Sequence, residues 1–158
     1  AQVDGYEITK PDDLTPLERY DNAEKFIKAT GANISEGGDR AYYHPTEDFI
    51  KIPDINQFSD SDHYYATLFH ELTHWTGHKS RCDRDMSGRF GDESYAAEEL
   101  IAELGAAFLG AKMGINSSLR ADHASYIKSW IRLLKGDNKA VFTASSRAQK
   151  AVSYLTGE

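Results

Sequence analysis

His70-Glu71-Leu72-Thr73-His74 has the residue types and spacing of a metal site. On a helix, side chains four apart lie about 40° round the axis and one turn along it, so the two imidazoles share a face and can grip one ion. Glu71 sits beside that face. There a carboxylate can reach a water on the ion without being a ligand, the H-E-x-x-H arrangement for metal-assisted amide hydrolysis. Five residues are a short pattern, and helical histidines are often satisfied by ordinary hydrogen bonds, so the rest of the chain must supply more.

A catalytic zinc takes three protein ligands and keeps a fourth position open. The third ligand is sought in Tyr95 to Leu109, an Ala- and Gly-rich helix that carries Glu98, Glu99 and Glu103. Carboxylates in such an apolar helix are out of place unless something positive compensates them. Glu99 and Glu103 are spaced i, i+4 and share a face. Glu99 can bind the ion while Glu103 accepts the other ring N–H of a ligand histidine. Glu98, about 100° away, is expected to face solvent. Ordinary surface charge is the competing reading for each glutamate.

The metal helix is expected from Asp60-Ser61-Asp62 to about Gly77, anchored by a stripe of Tyr64, Leu68, Leu72 and Trp75 with Tyr65 and Phe69 beside it. Upstream, Thr15-Pro16-Leu17-Glu18 reads as a helix start, with Leu17, Tyr20, Ala23, Phe26 and Ile27 facing the core and Gly31 as the stop. Residues 33 to 53 read as three short strands joined by turns at Gly37-Gly38 and Pro45 to Asp48, hence antiparallel hairpins. An edge of that sheet beside the metal helix could receive an extended peptide. Two scaffold helices are expected at 120 to 135 and 139 to 155. The first would bury Tyr126, Ile127, Trp130, Ile131 and Leu134, the second Val141, Phe142, Ala148, Val152 and Leu155. His123 is expected on a helix surface.

The 158 residues suit one α+β domain, mostly helical with a small antiparallel sheet of about three strands, spanning 15 to 158 behind a polar arm or linker at 1 to 14. A single cysteine, Cys82, excludes an internal disulfide framework. No apolar run is long enough to span a membrane and no signal peptide is visible, so a cytoplasmic location is expected. Residues 1 to 62 carry 14 acidic and 6 basic side chains, which argues against nucleic-acid binding by charge. The one basic cluster, Lys79, Arg81, Arg84 and Arg89, reads as a solvated loop.

Several longer stretches carry a resemblance: Gly37 to Tyr43, Tyr64 to His78, Ser87 to Gly91, Glu98 to Phe108 and Ala144 to Ala151. Together they closely resemble the C-terminal metallopeptidase domain of ArdC-type antirestriction proteins, a domain type also found in plasmid TraC primases and polyvalent proteins of mobile elements. The resemblance implies a zincin-like fold, with His70, His74 and Glu99 as ligands and Glu71 as general base. Such proteins usually place a single-stranded-DNA-binding domain first. Ala1 to Glu7 reads as the connection to one, so the chain is expected to be part of a longer protein, with any DNA contact made by that other domain.

The expected activity is hydrolysis of a protein or peptide, with Zn²⁺ as cofactor and Mn²⁺ or another divalent metal as alternatives. Tyr95, His78, Tyr43 and Arg40 are candidates for a transition-state or substrate contact. The rival reading is a catalytically silent, metal-stabilised interaction module, acting beside a DNA-binding domain to block restriction nucleases. Glu71→Gln separates the two.

Overall fold

The computed structural model describes residues 15–116 and 124–158. Five helices, α1 (Asp21–Thr30), α2 (Ser61–Thr76), α3 (Glu93–Met113), α4 (Ala124–Gly136) and α5 (Ala140–Thr156), pack with a sheet of β1 (Ile34–Glu36), β2 (Tyr42–His44) and β3 (Phe49–Ile52). The expected arm at 1 to 14, the start of the first scaffold helix and His123 lie outside the described residues, as do the side chains of Tyr126 and Ile127. None of the described helices is long and apolar enough to cross a membrane.

Helix α2 runs through the core. Asp60 caps it, accepting from the His63 amide at 2.8 Å. Tyr64, Tyr65, Leu68, Phe69, Leu72 and Trp75 are all buried, as their spacing predicts. Helix α3 lies close against α2 because Gly105 permits it: a Cβ there would fall 2.5 Å from Thr73 Cγ2 and Oγ1. That approach brings the α3 carboxylates to the histidines of α2.

The sheet departs from the expected hairpins. Its order is β1-β3-β2, with β1 and β3 parallel and β2 and β3 antiparallel. β3 takes the centre because Ile50 and Ile52 are both fully buried, whereas β1 and β2 have no buried residue. The Gly37-Gly38 turn therefore leads into a crossover rather than a hairpin.

The first helix begins at Asp21, not near Pro16. Residues 17 to 20 find tertiary partners instead of helical ones: the Leu17 amide donates to Asn56 Oδ1 at 2.9 Å and the Tyr20 amide to Tyr65 Oη at 3.0 Å. Leu17 and Tyr20 still pack on the core, and Gly31, left-handed at φ 72°, ends α1 as expected.

In α5, Ala148, Val152 and Leu155 are buried as expected, but Val141 and Phe142 are exposed. The inward stripe is Ala140, Ala144, Ala148 and Ala151, which turns the two larger residues outward. In α4, Ile131 and Leu134 are also exposed, while Trp130 docks on α3 by donating Nε1–H to Ala96 O at 3.2 Å.

Candidate metal centre

His70 and His74, one turn apart on α2, aim their Nε2 atoms at a common point. Those atoms lie 3.1 Å apart. Glu99 of α3 completes a triangle, with Oε1 3.1 Å from His74 Nε2 and Oε2 3.4 Å from His70 Nε2. Ligands about 2.1 Å from a tetrahedral ion are separated by about 3.4 Å, so this donor set fits a small divalent cation. The three residues form the possible metal-holding cluster among the described residues. Without a cation or proton between them, two imidazole lone pairs could not face each other so closely.

The outward nitrogens are also engaged. His70 Nδ1 lies 2.7 Å from Glu103 Oε1, an ion-pair distance whose angle falls short of a straight hydrogen bond. His74 Nδ1 lies 3.1 Å from Glu98 Oε1. Such contacts hold the proton on Nδ1 and leave Nε2 as the donor to a metal.

Electrostatics follow from this packing. Burial alone would lower the pKa of His74, but hydrogen bonds donated to Glu98 and Glu99 outweigh it and lift the value to about 10. His70 is likewise raised, burial being outweighed by Glu103 and Glu99. Burial favours protonation of Glu99, yet the two histidines hold its carboxyl well below the usual range. In the ion-free protein these directions favour positive charge on the histidine pair, opposite the buried glutamates.

The triangle floors a cleft of about 450 Å³. Glu71, nearly buried on α2, lines the same cleft beside His70, while β2 and Tyr95 form its walls. Of the other candidates, Arg40, Tyr43 and Tyr95 reach the cleft and His78 does not. His78 Nδ1 instead pairs with Ser80 Oγ at 2.7 Å. The Tyr43 hydroxyl is committed to Asp48 at 2.8 Å, so only the remainder of that side chain is free to face a ligand.

Two expectations are overturned. Glu98 is buried rather than solvent-facing, because it bridges His74 to Arg84. The basic cluster is solvated only at Lys79 and Arg89, which are exposed, since Arg81 and Arg84 fold inward with side chains 7% and 6% exposed. Arg81 pairs with Asp48 and lies 3.8 Å over the Trp75 ring. The only sequence signal for Glu98 was its place in an apolar helix. Arg84 had none, because its partners are distant in the chain.

The zincin-like metallopeptidase family matches residues 21–147. The crystal structure of the antirestriction ArdC protein from plasmid R388, Mn(II)-bound, is 46% identical and superposes with a TM-score of 0.80 over 90% of this chain and 54% of that one. Its metal-free counterpart gives 45% and 0.79, covering 90% of this chain and 52% of that one. The uncharacterized protein y4eC of Sinorhizobium fredii (strain NBRC 101917 / NGR234) is 43% identical over 98% of this chain and 50% of its own length. A DNA primase TraC of Escherichia coli is also 43% identical over 98% of this chain, but over only 11% of its own length. The chain thus spans about half of the first relative and about a tenth of the second.

Proposed function

The chain belongs to the zincin-like metallopeptidase family, and on that footing we propose that it is the metal-dependent peptidase domain of an antirestriction-type protein from a mobile element. His70, His74 and Glu99 hold the ion, Glu71 is the general base, and Glu103 orients His70. The observation that carries this reading is the convergence of two Nε2 atoms and one carboxylate within 3.4 Å, beside Glu71 in one cleft. A relative with the same fold has been crystallised with Mn(II), which supports a divalent cation and leaves Zn²⁺ or Mn²⁺ open for this chain.

A divalent ion in that set would supply Lewis acidity, acidifying a water and polarising a scissile carbonyl. Glu71 takes the proton of the attacking water and passes it to the leaving amine. β2 is an edge strand, so an extended protein or peptide segment can add along its outer side, with Arg40 and Tyr95 near the reacting bond. Single-stranded DNA is the expected ligand of a separate domain.

The second reading, a metal-stabilised module without catalysis, draws support from the buried ion pairs that tie α2, α3 and the intervening segment together. Against it, the ArdC relative matches almost equally well with and without metal, so that fold persists ion-free. The deciding experiment compares wild type with Glu71→Gln in the full-length protein, by antirestriction protection and by hydrolysis of a peptide library. Catalysis predicts a loss of about a hundredfold or more with metal retained. Equal protection by the variant would overturn it.

A further inference from the structure

Arg84 stands outside every role assigned so far, yet its side chain is more enclosed than that of His74. Its Nε donates to Glu98 Oε2 and its Nη2 to Glu98 Oε1, each at 2.9 Å, so one guanidinium grips both carboxylate oxygens. Nη2 also donates to Thr73 O at 2.6 Å, and Nη1 to Thr76 Oγ1 at 2.8 Å. The fork is thereby fixed to the last turn of α2, where a cation also favours the helix dipole. Gly77 makes the room: a Cβ there would fall 3.0 Å from Arg84 Nη2 and 2.4 Å from Met86 Sδ.

Glu98 Oε1, one of the gripped oxygens, is the atom that faces His74 Nδ1 at 3.1 Å. We propose that Arg84 is a positioning residue for the metal, acting through Glu98 to fix the ring plane and tautomer of His74 and so setting the site's affinity for a divalent ion. The inference rests on the metal reading above. A residue that merely closed α2 would need only Thr73 and Thr76. The two-pronged grip on Glu98 adds something else, because a bidentate pair fixes direction as well as charge. It leaves the carboxylate one orientation, aimed at His74. It also offsets a charge that would otherwise be buried uncompensated and would protonate or swing toward the ion as a competing ligand. Lysine can replace the charge but not the fork.

The test is Mn²⁺ titration calorimetry with parallel melting of the ion-free protein, on wild type, Arg84→Lys, Arg84→Met, Glu98→Ala and the double variant Arg84→Met/Glu98→Ala. Arg84→Met should weaken Mn²⁺ binding about tenfold or more, the scale seen when an outer partner of a ligand histidine is lost. Arg84→Lys should weaken it measurably while the ion-free melting temperature stays near wild type, and this arm decides if the methionine variant fails to fold. In the Glu98→Ala background, Arg84→Met should cost nothing further, because its only route to the metal is gone. Wild-type affinity in Arg84→Lys, or an equal loss with and without Glu98, would overturn the inference. If wild type itself binds no Mn²⁺, the metal reading falls and takes this inference with it. If wild type binds and Arg84 proves indifferent, only this inference falls.

Discussion

Two helix pairs in this molecule treat polarity in opposite ways. Between α2 and α3, His70, Glu71, Glu98 and Glu99 are each less than a tenth exposed. On α4 and α5, Ile131, Val141 and Phe142 stand in solvent, Phe142 at 75%. Burying charge is costly unless it is paired, and α2 and α3 offset that cost by pairing histidine with glutamate and glutamate with arginine, while Glu71 faces the cleft. The α4–α5 side carries no such constraint. Placement in the first region is over-determined by electrostatics, whereas in the second the inward alanines matter more than the large residues.

That contrast is open to attack at several points. The largest effect is expected where the charged interface is closest. Gly105→Ala puts a methyl group 2.5 Å from Thr73, whose hydroxyl donates to Phe69 O, and should destabilise the protein by about 1–3 kcal/mol in denaturant melts. Adding Thr73→Ala should recover most of the loss. A neutral single variant would show that the two helices are not pressed together there.

The charged interface should also be sensitive to pH. A histidine whose pKa is raised on folding stabilises the native state fully below the unfolded value of about 6.5. That contribution is lost as pH rises through the folded value, about 10 for His74. Ion-free protein should therefore lose thermal stability between about pH 6.5 and about pH 10. Saturating Mn²⁺ should remove the slope, since the metal displaces those protons. A flat ion-free profile in scanning calorimetry would mean that the imidazoles are not charged in the fold.

The smallest effect is expected on the other side of the comparison. Phe142→Ser should shift stability by no more than about 0.5 kcal/mol, because little apolar surface is withdrawn from water at that site. A loss of several kcal/mol in a urea titration would show that Phe142 is covered.

Local periodicity placed His70 with His74 and Glu99 with Glu103, because helical spacing alone sets which of them share a face. The α2 stripe was legible for the same reason. Glu98 was not, since its burial depends on Arg84, a residue 14 positions away in an irregular segment. Turn chemistry at Gly37-Gly38 identified the turn but not which strand would enter the centre of the sheet. That was decided by Ile50 and Ile52, through burial rather than sequence neighbourhood. At Pro16 the local helix signals lost to the amide contacts of Leu17 and Tyr20. In each miss a distant partner outweighed a local preference.

Everything proposed for the cleft depends on whether His70, His74 and Glu99 bind one ion together. Mn²⁺ titration calorimetry of wild type beside Glu99→Ala tests this most directly. The predicted result is one ion per chain for wild type and no measurable binding for the variant. Undiminished stoichiometric binding by Glu99→Ala, or none by wild type, would contradict it.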